Sequence, residues 1–81
     1  MDEKQILSRI DDLVAEEHEL RGRSSSGHPL GDEDRTRLRH LEEHLDQYWD
    51  LLRQRRARRE AGQDPGDTEE RPVAEVESYL Q

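Results

Sequence analysis

The chain contains no cysteine, which excludes disulfide bridges, thiolate metal sites and the class of small secreted proteins that disulfides hold together. Apolar residues are also scarce: only 28% of the 81 residues are hydrophobic, against roughly 45–50% in an ordinary globular domain. No apolar run approaches the length needed to cross a bilayer, and the first residues lack the basic and apolar regions of a signal peptide. We therefore expect one small cytoplasmic domain with a thin core and no membrane association.

Charged residues are the abundant class, at 42% of the chain, and they leave a net charge of -8. Such a composition approaches that of disordered chains, which cannot bury enough apolar surface to offset the entropy of folding. The charged residues are interrupted, however, by apolar residues at steps of three and four, the spacing of an amphipathic helix. The sequence therefore predicts an all-α protein.

Two segments carry this helical spacing. The first covers residues 3–21 and is predicted to end at Gly22, because glycine often follows the last residue of a helix. The second covers residues 32–61 and begins with three carboxylates, which stabilise the positive end of a helix dipole. Residues 23–31 are rich in serine, glycine and proline and are predicted to form the connecting loop.

A short loop between two helices favours antiparallel packing, as in an αα-hairpin. Apolar layers match best when paired residue numbers sum to 58, which sets Ile6 opposite Leu52 and Glu3 opposite Arg55. The predicted hairpin core consists of Ile6, Ile10, Leu13, Leu20, Leu38, Leu41, Leu45, Tyr48 and Leu52.

The hairpin has a second apolar feature on its flank. Leu7, Val14 and Trp49 fall on one edge, where a two-helix unit leaves them uncovered. Because a lone hairpin buries too little surface to offset its chain entropy, we expect a coiled-coil-like homodimer, an antiparallel four-helix bundle with these three residues at the interface.

Residues 62–81 follow the hairpin of residues 1–61 and are predicted to form a flexible acidic tail, made of a linker and a short C-terminal amphipathic segment. Val73, Val76 and Leu80 share one helical face in that segment. Two interpretations stay open: a short helix that docks on the hairpin, or a frayed end, because isolated helices below about 12 residues are marginal in water.

Three segments resemble a family of short actinobacterial proteins classed as a domain of unknown function. They are Glu-Glu-His-Glu-Leu-Arg at 16–21, Leu-Asp-Gln-Tyr-Trp-Asp-Leu-Leu-Arg-Gln-Arg-Arg-Ala at 45–57, and the ending from Arg71 to Gln81. The resemblance covers essentially the whole chain. It implies a small cytoplasmic bacterial protein, and it assigns no activity, cofactor or catalytic residue, because the family itself has none assigned.

His40 and His44 fit the H-x-x-E-H pattern of inverted zinc proteases. No third ligand stands at a recognisable spacing, and a hairpin of this size offers no substrate cleft. We interpret both as surface histidines and expect no metal, no cofactor and no enzymatic activity.

A basic run is the remaining candidate site, with five positive charges in seven residues: Arg53, Arg55, Arg56, Arg58 and Arg59. These arginines are candidate contacts for an anionic partner, although cations also stabilise the C-terminal end of a helix. The sequence thus favours a protein-interaction or scaffold module with an unidentified protein partner, and the alternative is a nucleic-acid-associated protein that uses this run.

Overall fold

The computed structural model describes residues 1–25, 27 and 29–80; Ser26 and His28 of the predicted loop and Gln81 of the C-terminal segment lie outside the described residues. Along the chain follow α1 (Glu3–Ser25), α2 (Asp32–Glu60), a 3-10 turn (Pro65–Asp67) and α3 (Val73–Leu80). The described part of the chain contains no strand, which confirms the all-α prediction. Nor does it contain a helix with the length and apolar character to pass through a membrane.

α1 begins at a capping box, in which two side chains satisfy backbone groups that a helix start leaves without partners. The Gln5 amide donates to Asp2 Oδ1 at 2.8 Å, and the Asp2 amide donates to Gln5 Oε1 at 2.9 Å. The sequence predicts this start correctly.

The predicted end of α1 at Gly22 is wrong, because the helix continues to Ser25. Glycine inside a helix costs about 1 kcal/mol, an amount that contacts of the extra turn can offset. Arg23 in that turn lies 3.7 Å from Asp34 of α2 and 3.5 Å from Glu19 of α1. The loop of the hairpin is therefore shorter than the predicted span of residues 23–31.

α1 and α2 pack antiparallel, and the ion pairs between them report the register. Arg37 pairs with Glu16 and Arg21 pairs with Glu42, so the residue numbers of these partners sum to 53 and 63. These values bracket the predicted sum of 58. Glu3 and Arg55, which the predicted register sets opposite each other, do not form an ion pair.

Arg59 takes the place of Arg55 beside Glu3, with its Nη2 atom 3.2 Å from Glu3 Oε1. Arg55 instead donates to the carbonyl oxygens of Met1 at 2.9 Å and Pro65 at 3.2 Å. The chain beyond α2 turns back over this face, and its Pro65 carbonyl supplies an acceptor that the two-helix register could not include.

The core follows the predicted seam in part. Five of its nine predicted residues are buried, namely Ile6, Ile10, Leu20, Leu41 and Leu45, and four are half-buried, namely Leu13, Leu38, Tyr48 and Leu52. Leu51 and Val76 are also buried and lie outside the predicted hairpin core. Leu51 packs in one cluster with Ile6, Ile10 and Leu45, so the apolar face of α2 is wider than one seam.

The chain after α2 folds back onto it and ends in the docked helix α3. Of the two interpretations left open for the C-terminal segment, the structure bears out the docked short helix and not the flexible tail. Val76 of α3 is completely buried. Gln47 donates to the Arg71 carbonyl at 3.1 Å and Gln54 donates to the Glu69 carbonyl at 3.0 Å. One apolar anchor and two side-chain hydrogen bonds therefore hold a helix that is too short to be stable alone.

Candidate functional site

One edge of the hairpin carries three large apolar side chains that are well exposed. Leu7, Val14 and Trp49 are 44%, 46% and 44% exposed, respectively. We call this set the apolar strip. The residues are those predicted as an interface, and their exposure leaves them available to a partner.

Seven-residue steps along each helix show that the apolar strip lies on a single edge of the hairpin. Residues seven apart lie on the same side of a helix, separated by two turns or about 10.5 Å. On α1, Leu7, Val14 and Arg21 are successive residues at this spacing. On α2, Glu42 and Trp49 are related in the same way. These two edges are neighbours, because Arg21 Nη2 lies 2.7 Å from Glu42 Oε1.

Antiparallel packing then aligns the rest of the strip. One seven-residue step from the Arg21–Glu42 ion pair places Val14 level with Trp49. A second step places Leu7 level with Arg56, an exposed arginine. The strip is therefore bounded by an ion pair at one end and by a cation at the other.

The basic run is divided by the fold. Arg55 and Arg59 are engaged with backbone carbonyls and with Glu3, so they stabilise the hairpin end. Arg53, Arg56 and Arg58 form no ion pair with any residue that the structure describes. Of these three, Arg53 and Arg56 are exposed and Arg58 is half-buried.

A buried carboxylate, missed by sequence reasoning, joins α3 to α2. Asp50 is only 3% exposed. Its Oδ2 atom accepts a hydrogen bond from Gln54 at 2.9 Å and lies 3.7 Å from Arg71 Nε. The Arg71 guanidinium also lies 5.9 Å from the centre of the Tyr79 ring, within range of a cation–π contact. No sequence signal marks this group, because Asp50 lies outside the predicted apolar seam.

A second carboxyl group between α3 and α2, that of Glu77, lies close to other negative charges. The pKa of Glu77 on α3 is raised, first by a hydrogen bond with Asp46, then by desolvation and by the negative charges of Asp46 and Glu43. Its Oε1 atom is buried without a hydrogen-bond partner among the described residues. This contact between α3 and α2 therefore favours a protonated Glu77.

The two histidines of the H-x-x-E-H pattern are both exposed, and the His44 ring makes an edge contact with Tyr48 at a centroid distance of 6.4 Å. Within residues 1–25, 27 and 29–80, no group of three or more histidine, aspartate or glutamate side chains is arranged to hold a metal ion. Among these described residues, no third ligand accompanies His40 and His44.

The fold and this surface define a small α-helical hairpin with a docked third helix and an exposed apolar edge. The chain belongs to the family described as "Protein of unknown function (DUF2630)", which matches residues 2–81. This confirms the family resemblance seen in its sequence segments.

Two relatives are the uncharacterized protein Rv0898c of Mycobacterium tuberculosis and the uncharacterized protein Mb0922c of Mycobacterium bovis. Each is 47% identical to this chain over 77 residues, which cover 95% of this chain and 88% of the relative. No solved structure matches the chain.

Proposed function

We propose that this protein is a non-catalytic interaction module of the cytoplasm, in which the apolar strip joins two copies into an antiparallel four-helix bundle. The observation that carries the proposal is the exposure of Leu7, Val14 and Trp49, each close to 45%, along one edge. Large apolar side chains that are aligned and uncovered are typical of protein interaction sites.

The size of the core supports the same proposal. Seven apolar residues are buried among those that the structure describes: Ile6, Ile10, Leu20, Leu41, Leu45, Leu51 and Val76. Chains of this length commonly need oligomerisation, a metal or disulfides to supplement so small a core. Cysteine is absent, so disulfides are excluded, and association through the strip would add buried apolar surface.

A dimer of this kind would also serve as a scaffold. It would display two copies of α3, whose Tyr79 and Leu80 are 45% and 48% exposed, for contact with a further protein. The identity of such a partner can be approached by affinity capture with the Trp49→Ala variant as the comparison, since this variant separates dimer-dependent contacts from those made by α3 alone.

The test of the proposal compares two truncations of similarly exposed side chains. Trp49→Ala removes the largest member of the strip, whereas Leu80→Ala removes an exposed apolar residue of α3. Light scattering after size exclusion is expected to show a dimer for Leu80→Ala and a monomer for Trp49→Ala at the same micromolar concentration. A Trp49→Ala protein that keeps the mass of the parent dimer would contradict the proposal.

The alternative is a nucleic-acid-associated protein, and the exposure of Arg53 and Arg56 is the observation that favours it. Against it stand the net charge of -8 and the internal contacts of Arg55 and Arg59. Titration with labelled duplex DNA and RNA at two salt concentrations separates the two functions, because phosphate binding weakens steeply with salt. Steeply salt-dependent binding that Arg53→Ala and Arg56→Ala abolish would favour the alternative.

A further inference from the structure

We infer that the proposed homodimer has a defined register, in which α2 packs antiparallel against α2 of the partner about a two-fold axis at Trp49, and Glu42 of each copy pairs with Arg56 of the other. This inference rests on the proposed function and specifies the partner as a second copy of this chain. It adds which residues meet across the interface and why the copies are antiparallel.

The charges beside the strip are arranged symmetrically about Trp49. Glu42 lies seven residues before it and Arg56 lies seven residues after it, on the same edge of α2. A two-fold interface brings the same surface of both copies together. With the axis at Trp49, rotation therefore sets each Glu42 against the Arg56 of the other copy, two turns away from the axis.

The side chains on the neighbouring edge of α1 are compatible with the same two-fold axis. Leu7 and Arg21 lie seven residues on either side of Val14, and Val14 is level with Trp49. The rotation that pairs Glu42 with Arg56 also brings Leu7 toward the Arg21 of the other copy, whose aliphatic stem can cover an apolar side chain. Trp49 and Val14 then occupy the centre of the interface, and charged groups surround them.

The contacts within one copy leave the required groups available. Arg56 is exposed and has no ion pair among the described residues, and Glu42 is exposed although it contacts Arg21. A carboxylate has two oxygens and can accept from two arginines. Arg56 of the second copy can therefore join the Arg21–Glu42 pair without displacing it.

A parallel dimer about the same strip would have the opposite electrostatic result. It would set Glu42 against Glu42 and Arg56 against Arg56, and like charges that face each other across an interface are repulsive. The chain thus has a favourable arrangement in one orientation and an unfavourable arrangement in the other.

The test exchanges the two charges between copies. In a homodimer of the Glu42→Arg variant, two arginines face each other at each end of the interface. In a homodimer of the Arg56→Glu variant, two glutamates face each other at each end. When the two variants are mixed, the heterodimer has an opposite-charge pair at both ends. We expect roughly tenfold or stronger preference for the heterodimer over either homodimer, since two repulsive pairs are replaced by two attractive ones.

Native mass spectrometry and sedimentation velocity measure this preference, with circular dichroism to show that each variant is helical. Glu42→Gln controls for the lost contact with Arg21, and Arg9→Glu controls for the change in net charge at an exposed position off the strip. The chain that carries both Glu42→Arg and Arg56→Glu should homodimerise like the parent. A parallel dimer would be as repulsive in the parent as in either single variant, so the antiparallel register also requires that each single variant homodimerise more weakly than the parent. A helical mixture without heterodimer preference, single variants that homodimerise as strongly as the parent, or a dimerisation loss with Arg9→Glu as large as that with Arg56→Glu would overturn the register.

The outcome also separates this inference from the function on which it rests. A monomeric parent chain contradicts the dimer itself. A dimeric parent whose charge variants show no preference for each other retains the dimer and contradicts only the register.

Discussion

Arg71, in the segment that precedes α3, lies beside the buried carboxylate of Asp50 on α2, with Arg71 Nε 3.7 Å from Asp50 Oδ2. Asp50 is almost completely buried, and a buried carboxylate is costly unless a cation and hydrogen bonds compensate it. Gln54 supplies a hydrogen bond at 2.9 Å, and Arg71 supplies the positive charge. The ion pair of Arg71 with this buried carboxylate therefore contributes to the docking of α3.

Replacement of Arg71 by Met should destabilise the folded chain by about 2 kcal/mol, because it leaves the Asp50 carboxylate buried without its cation. Addition of Asp50→Asn should recover much of this loss, since a neutral amide needs no counter-charge. Urea denaturation measures both values, and Arg9→Met, at an exposed position, is the control. Equal and small losses for Arg71→Met and Arg9→Met would show that the Asp50 contact does not stabilise α3.

Glu77 predicts how the docking of α3 depends on pH. Its pKa in the folded chain is raised above the ordinary value of 4.5, so folding favours the protonated carboxyl group. This stabilisation is complete below the unfolded pKa and is lost as the pH rises through the higher folded pKa. Above that folded pKa the ionised Glu77 faces the negative charges of Asp46 and Glu43, and α3 is held less tightly.

Glu77→Gln should therefore stabilise α3 at pH 7, and its advantage over the parent should disappear as the pH falls toward 4.5. Hydrogen exchange at the Val76 amide measures the opening of α3 across this range. Glu70→Gln, an exposed position before the helix, is the matched control. An advantage for Glu77→Gln that is the same at pH 7 and pH 4.5 would rule out this linkage.

Gly22 and Gly62 should respond to alanine in opposite directions. Gly22 lies inside α1, and a Cβ atom there would meet nothing within 4 Å. Gly22→Ala should stabilise the chain by about 1 kcal/mol, because alanine has the higher helix propensity.

Gly62 follows the end of α2 with a φ of 73°, a left-handed conformation that disfavours side chains. Gly62→Ala should therefore destabilise by about 1 kcal/mol, as measured by thermal unfolding of the two variants at one protein concentration. If Gly22→Ala destabilises as well, the helix does not continue through that position.

The sequence predicts the hairpin well because its signals are local. Apolar residues at steps of three and four define the α1–α2 seam, and the capping box at Asp2 and Gln5 marks the start of α1. Gly22 shows the limit of such signals, since a glycine near the end of a periodic segment fits both a stop and a helical interior. Beyond Gly22, Arg23 contacts Asp34, and this contact depends on the second helix.

The docking of α3 could not be predicted in the same way. Gln47 and Gln54 donate hydrogen bonds to backbone carbonyls. Every residue has such a carbonyl, so the sequence does not show which ones are used. In the sequence Asp50 cannot be distinguished from the solvated charges around it, because its burial depends on the contact with Arg71. The candidate apolar strip could be located from helical spacing, whereas its alignment with Arg56 required the Arg21–Glu42 contact.

The most direct test of the central claim is sedimentation equilibrium of the parent chain across the micromolar range. Assembly through the apolar strip predicts a mass approaching twice the 9.6 kDa of one chain, with dissociation on dilution. It also predicts a melting temperature that rises with protein concentration, because association stabilises the folded state by mass action. A folded species of 9.6 kDa at every concentration would contradict the claim that the exposed strip of Leu7, Val14 and Trp49 joins two copies.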